Sequence, residues 1–198
     1  MNLYVVRHGE TWANAERRYL GSLDPELTEH GRQQAQALAM QLPEVLDTMI
    51  VSPRRRARET AAILNGQLNL PCHIMDCFQE RNVGVFEGLT QGEAEARYPQ
   101  LWAQNITRHW EIGPTAGESI AQVAERVLQG LIELAARYPH SSVLLVAHGF
   151  VAKVIRALAK ADFADFYDWQ LCNGSLLALT DIKVAALDLA VLKASLPR

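Results

Sequence analysis

"LYVVRHGETWAN", residues 3–14, sets four apolar residues ahead of Arg7, His8, Gly9 and Glu10. Far along the chain "VLLVAHGF", residues 143–150, repeats the design: the run Val143 to Ala147 closes on His148 and Gly149. Short aliphatic runs, apolar at successive positions, read as strands covered on both faces, as in a parallel sheet between helix layers. In open parallel sheets the ligand lies beyond the C-terminal ends of the strands, and both His-Gly pairs stand at such ends. A glycine there, lacking Cβ, lets the backbone turn sharply and approach a ligand closely. Two histidines distant in sequence are thereby expected in one pocket.

The rest of the chain alternates in the same way. Strands are predicted at Leu3–Val6, Met49–Val51 and Val143–Ala147, and "IKVAALDLAVL", residues 182–192, is expected to add one or two more as an antiparallel edge. One helix is predicted from Thr28 to Leu42, ahead of Pro43, and another from a Ser52 N-cap and Pro53 to about Leu64. Thr90 with Glu93, and Ser119 with Gln122, read as capping boxes opening two more. In the second of these, Ile120, Val123, Val127, Leu131 and Leu134 share one face. A last helix follows His148-Gly149 across "FVAKVIRALA". Alternation of this kind predicts an α/β fold: three layers, doubly wound, with a mostly parallel central sheet and helices on both faces. With no repeat or low-complexity linker, residues 1–198 are read as a single domain.

Composition narrows the function. The 198 residues are 49% hydrophobic and 21% charged, with net charge −3, which suits one sizeable core. The charge gives no basic field for nucleic acid. No apolar run nears the roughly 18 residues of a membrane span and no leader pattern opens the chain, so a soluble cytoplasmic protein, monomer or homodimer, is expected. Three cysteines (Cys72, Cys77, Cys172) without CxxC spacing read as reduced thiols and small core residues. His30, His73, His109 and His140 show no metal-ligand spacing, so no metal is expected. The absence of GxGxxG and GxxxxGK[ST] argues against nucleotide cofactors, and none is expected.

An Arg-His pair converging with a second histidine suggests an anionic tetrahedral ligand. Arginine offers a planar fork of donors matched to phosphate oxygens. Neutral imidazole can attack phosphorus to form a covalent intermediate, and a second histidine, kept cationic by bound phosphoryl, stabilises charge on the transferring oxygens. In "SPRRRARETA", residues 52–61, three consecutive arginines compete for a clamp role, and helical periodicity alone does not choose among them.

In order along the chain stand "RHGETWAN", "GSLDPELTEHGRQQA", "SPRRRARETA", "QERNVGVFEG", "GES" and "AHG". Together they resemble the histidine phosphatase superfamily, with its phosphoglycerate mutase-like fold, from Leu3 to about Ser175. The resemblance implies that His8 is the nucleophile that becomes phosphohistidine, with Arg7 as a phosphate clamp. Asn14 falls at the family asparagine that donates to phosphate, and Gly21 at the glycine whose backbone borders the pocket. The spacing Ser-Pro-x-x-Arg-Ala selects Arg56 as second clamp, leaving Arg54, Arg55 and Arg58 as a solvated face with Arg55 and Glu59 paired at i,i+4. His148 is the second histidine, with Gly149 beside the phosphate. Glu80 matches the general acid, which must keep a proton near neutral pH through partial burial or nearby negative charge. Glu10 is expected to hold its loop, and Glu118 to order the start of its helix. "TWAN" departs from the pattern by placing Ala13 between Trp12 and Asn14.

The implied activity is a metal-independent phosphomonoesterase acting on a small phosphorylated metabolite. A bisphosphoglycerate-dependent mutase and a non-catalytic phosphate-binding protein are the alternatives. A mutase must hold a bisphosphorylated intermediate and needs cations outside the core pocket. Such mutases carry lysine eleven residues after the acid, where this chain has Gln91, and paired arginines in an insertion, where it has only Arg97 and Arg108, well apart. Phe150 replaces their asparagine after the second His-Gly, and the chain is shorter. These departures favour the phosphatase. The aromatic residues of "YPQLWAQNITRHW", residues 98–110, either roof the site or pack beneath it.

Overall fold

A computed structural model describes residues 1–184 and Leu189. The first aliphatic run forms strand β1 (Asn2–Arg7) and the late one β4 (Ser142–Ala147), adjacent and parallel, with Arg7 opposite Ala147. β2 (Thr48–Val51) lies on the other side of β4, and β3 (Cys72–Ile74) beyond it, both parallel. The sheet order is β3-β2-β4-β1-β5, and β5 (Leu176–Leu179) runs antiparallel to β1 at the edge. The antiparallel edge expected of residues 182–192 therefore comes from the preceding stretch. Most of that segment, residues 185–188 and 190–192, lies outside the described residues.

Successive strand residues face opposite layers, as the pleat requires. Leu3, Val5, Ile50, Val143 and Leu145 pack on helices α6 (Ile120–Arg137) and α7 (Gly149–Lys160). Val6, Met49, Val51, Leu144 and Val146 pack on the opposite face, against Leu38 of α2 (Glu29–Ala39) and Ala57, Ala61 and Leu64 of α3 (Arg55–Leu68). Each of these aliphatic side chains contributes about 1.5–3 kcal/mol by leaving water. The three-layer, doubly wound architecture follows from that two-sided demand. A smaller cluster (Val83, Phe86, Ala94, Ile106) supports the cap that carries α4 (Gln91–Arg97) and α5 (Pro99–Ala103).

Both capping boxes form, Thr90 with Glu93 and Ser119 with Gln122. Thr28 caps α2 through the Gly31 N–H, but the helix ends at Ala39 instead of Leu42. α3 differs more. It begins at Arg55, its N-cap position is Arg54, and no side chain of its own caps it. Asp24, from a distant loop, accepts the Arg55 N–H with both carboxylate oxygens at 2.9 and 2.8 Å, while Ser52 Oγ accepts the Arg54 N–H at 3.4 Å, just before the helix begins. The helix runs on to Leu68 and stops at Asn69 in the left-handed conformation. The short strand β3 escaped prediction because three residues carry too little periodicity. Of the cysteines, Cys77 is half-buried and packs against the main core, but Cys72 and Cys172 are exposed, which corrects their reading as core residues: Cys72 sits on the outermost parallel strand, and Cys172 on a loop.

Candidate active site

The register of β1 against β4 puts His8 and His148 side by side, each one residue past its strand. The His8 N–H donates to the Ala147 carbonyl at 3.1 Å, and the two imidazoles lie edge to face with centroids 5.1 Å apart. Both are at most 2% exposed. His8 Nδ1 stands 2.7 Å from the Gly9 carbonyl. A carbonyl only accepts, so the proton is on Nδ1 and Nε2 carries the lone pair. That lone pair receives the Arg56 Nε–H at 3.2 Å. Burial, then the Arg56 and Arg7 charges, holds the His8 imidazole well below its usual range, against a weaker pull from the Gly9 carbonyl. His148 is lowered in the same way by burial and the same arginines, with His8 and Arg54 adding. Both rings are therefore neutral near pH 7.

α3 delivers Arg56 fully buried, with Nη1 on the Leu23 carbonyl and Nη2 on the Gly21 carbonyl. Burial pulls its guanidinium down to about 10, which leaves it a cation at neutral pH. Arg7 donates Nη1 to the Leu171 carbonyl at 2.6 Å, and its buried Nε has no partner. Asn14 Oδ1 accepts from the Thr11 N–H, the Thr11 hydroxyl and Asn173 Nδ2, which reserves its own amide N–H groups for donation. Ala13, the residue that departs from the family pattern, is fully buried, and Trp12 is left half-exposed. Gly21 is buried with its carbonyl committed to Arg56. Its N–H, with those of Ser22, Leu23 and Val83, is held by the Glu87 carboxylate.

Glycine's part here is packing. A Cβ on Gly9 would collide with the Gly31 carbonyl of α2, and one on Gly149 would press on the Arg7 guanidinium at 3.2 Å. Close approach is needed as the sequence suggested, but by helix and arginine. Glu80 anchors one carboxylate oxygen to the Arg81 N–H and offers the other to the Phe150 N–H at 3.2 Å, at the start of α7. Glu10 does hold its loop, accepting from Thr28. Glu118 does more than order its helix: it takes both arms of Arg126 and the Asn82 N–H, clamping the Glu80 loop to α6. Arg55 pairs with Glu59 at 2.6 Å, as expected. Arg54 is not part of a solvated face; it reaches inward to the Ser22 carbonyl and the Gln79 side chain.

The cavity, about 340 Å³, is lined by Arg7, His8, Asn14, Glu80 and Gly149 together with residues that the sequence reading missed. Ser52, fully buried and outside that lining, shares a 2.6 Å hydrogen bond through Oγ with His148 Nε2. Ser-Pro is a helix start signal, which makes Ser52 read as a cap in the sequence, and only the β2–β4 pairing shows where its hydroxyl goes. Arg81, Arg108 and Lys153 also line the cavity. The scarcity of cations beyond the core pocket, inferred from Gln91 and the spacing of Arg97 and Arg108, is therefore corrected: Arg108 of that interval is joined by Arg81 and Lys153 from other elements. The aromatics of residues 98–110 pack: Tyr98 and Trp102 join the cap cluster and Trp110 stands edge-on to Phe163. The aromatic wall of the site is instead Tyr19, Phe150 and Tyr167.

A parallel sheet ending in two neutral histidines between buried guanidinium groups defines a phosphoryl-handling α/β protein. The comparisons with known proteins agree. Residues 3–183 match the histidine phosphatase superfamily (branch 1), and the chain belongs to that superfamily, as a phosphoric monoester hydrolase. It is similar to phosphoserine phosphatase 1 of Hydrogenobacter thermophilus, 32% identical over 177 residues that cover 88% of this chain and 84% of that protein. Among solved structures it is similar to the alpha-ribazole phosphatase of Shigella flexneri, with TM-score 0.79, 28% identity, and 90% and 89% of the two chains covered. A mycobacterial glucosyl-3-phosphoglycerate phosphatase complexed with VO3 superposes with TM-score 0.79 at 32% identity, covering 89% of this chain and 91% of that one. No helix among the described residues is long and apolar enough to cross a membrane.

Proposed function

We propose that the protein hydrolyses a small phosphorylated metabolite through a phosphohistidine at His8, without a metal ion. The observation that carries this reading is the fixed tautomer of His8: Nδ1–H is tied to the Gly9 carbonyl, so Nε2 carries the lone pair, which accepts from the Arg56 Nε–H at 3.2 Å. In the first step Nε2 attacks phosphorus and the ester P–O bond breaks. Arg7, Arg56 and the Asn14 amide take the non-bridging oxygens, with backbone at Gly149 beside them. His148, whose ring burial and nearby arginines hold neutral, takes up a proton from solvent as the phosphate dianion binds beside it. Glu80 gives its proton to the departing oxygen. In the second step water attacks phosphorus and the P–Nε2 bond breaks, Glu80 takes the water's proton, and inorganic phosphate leaves with His8 restored. Guanidinium groups supply the charge stabilisation that a metal supplies elsewhere. Among the described residues no group of three or more His, Cys, Asp or Glu side chains is placed to hold an ion.

The test is turnover of p-nitrophenyl phosphate in excess EDTA, with acid quench of the enzyme in mid-reaction. Release of nitrophenol together with an acid-labile phosphoenzyme that is lost in His8→Ala is the expected result. Turnover that dies in EDTA and returns with added divalent ion, or a phosphoenzyme that persists in His8→Ala, overturns it. The cations found beyond the core pocket also favour a test for mutase activity. Interconversion of 2- and 3-phosphoglycerate that rises with bisphosphoglycerate and outpaces hydrolysis would replace the phosphatase reading.

A further inference from the structure

The chain is acidic overall, at net charge −3, yet its cavity is lined by Arg7, Arg18, Arg81, Arg108 and Lys153 against the single carboxylate of Glu80. Arg7, with Arg56 behind it, belongs to the phosphoryl group. Arg18 is satisfied by Glu16, Glu93 and the Gly88 carbonyl. Three cations remain, and they arrive from three separate elements: the loop after Glu80, the turn before Trp110, and α7. We infer that Lys153 and Arg81, with Arg108 at the mouth, form a second anion subsite, so that the preferred substrate carries a carboxylate or a second phosphate on its leaving group. This rests on the phosphatase reading above for the position of the first phosphate.

Arg81 is 3% exposed, and its guanidinium is held in place by carbonyls: Nε on Glu118 and Nη1 on Thr107. Its Nη2 is buried without a hydrogen-bond partner, and no ion pair among the described residues includes it. A buried guanidinium normally has its donors matched, so an orphaned one at a cavity wall points to a ligand. Its planar face lies 5.0 Å from the centroid of Phe150, the residue after the second His-Gly, which ties the donor to the side of the cavity where Glu80 meets α7.

Lys153 is half-buried on the same helix, with Nζ 5.6 Å from the Phe166 ring centroid and no ion pair among the described residues. Arg108 lies 5.3 Å above the ring of Tyr167, whose hydroxyl donates to the Arg108 carbonyl. Stacking on rings could be all that these cations do. Their mutual placement argues otherwise, because burial and the Arg108 charge both lower the Lys153 ammonium, with Asp168, Glu80 and Asp165 compensating in part. Two cations that repel across a cavity, beside a third with an empty donor, are stabilised together by one anion.

The experiment compares matched substrates on one enzyme preparation, so that any general loss of activity cancels in the ratio. 3-Phosphoglycerate and glycerol 3-phosphate differ only in the carboxylate; fructose 1,6-bisphosphate and fructose 6-phosphate differ in the second phosphate. The native enzyme is expected to prefer at least one charged member by about tenfold or more in kcat/KM, the size of a charge-assisted hydrogen bond. Lys153→Met and Arg108→Gln should each pull that ratio toward one, chiefly through KM, and Lys153→Arg should keep it. Which pair shows the preference tells carboxylate from phosphate. A native ratio near one for both pairs, or a ratio unchanged in Lys153→Met, overturns the subsite. If nitrophenyl phosphate is not hydrolysed at all, the phosphatase reading fails by itself. The Kd ratio of 3-phosphoglycerate to glycerol 3-phosphate, native against Lys153→Met, then still decides the subsite.

Discussion

His8 shows how much one side chain depends on its immediate partners. Imidazole is a competent nucleophile only when neutral, and here burial and two guanidinium groups keep it so while the Gly9 carbonyl selects the tautomer. Glu80 is placed by two backbone N–H groups, one of them in the first turn of α7, each on its own carboxylate oxygen, so Glu80→Gln keeps one of these bonds and loses the other. In Glu80→Gln the donor proton of a carboxylic acid is gone. The expected loss in kcat is about 10²–10⁴-fold for alkyl phosphates, and far smaller for p-nitrophenyl phosphate, whose leaving group needs little protonation. Equal losses for the two substrates, measured side by side, would remove Glu80 from the role of acid. The candidate motif residues were marked in the sequence by resemblance to a family whose motifs are short and local. Ser52, Glu87 and Asn173 were not, because their partners His148, Gly21 and His8 are remote in the chain.

Between β1 and α2 the structure relies on glycine facing glycine. Gly9 and Gly31 approach so closely that a Cβ on either meets backbone, the Gly31 carbonyl in one case and the Glu10 carbonyl in the other. That contact sets the loop carrying His8, whose Gly9 N–H also donates to Thr60 of α3. Gly31→Ala is expected to cost roughly 1–3 kcal/mol through overpacking and to lower turnover by shifting the loop. The contrasting variant is Gly66→Ala on the exposed face of α3, where nothing lies within 4 Å. It should gain about 0.5–1 kcal/mol from helix propensity with turnover unchanged. Urea midpoints and nitrophenyl phosphate assays on both variants check this. A Gly31→Ala protein as stable and active as the native one would show that the contact yields freely. The cap of α3 belongs to the same lesson: Ser-Pro is a sound local start signal, but Asp24 reached the helix first through the tertiary fold.

The whole molecule buries two histidines at the meeting of its strands, and that has a consequence in solution. Both have folded pKa values depressed well below 6.5, so as pH falls through about 6.5 the unfolded chain binds protons that the folded chain refuses. Stability is therefore retained above that value and lost below it, at up to about 1.4 kcal/mol per pH unit for each histidine, before the carboxylates begin to titrate. Melting followed at pH 7.5, 6.5 and 5.5 should show Tm falling over the lower interval. A His8→Gln, His148→Gln double variant should flatten the fall. A native Tm that holds level down to pH 5.5 would mean that these imidazoles protonate as easily folded as unfolded.

The amino-acid sequence determined the class of architecture and the capping boxes of α4 and α6, because each is written in periodicity or short-range spacing, and its resemblance to a family marked the candidate phosphate-handling residues. Only the tertiary structure decided that β1 and β4 lie in direct register with Arg7 opposite Ala147, which makes the two histidines neighbours. It alone brought Ser52 to His148 and assembled Arg81, Arg108 and Lys153 around one cavity. The reason is physical: strand register and helix packing are set by the joint burial of apolar faces from the whole chain, so polar side chains carried on those elements meet at places that no local pattern records.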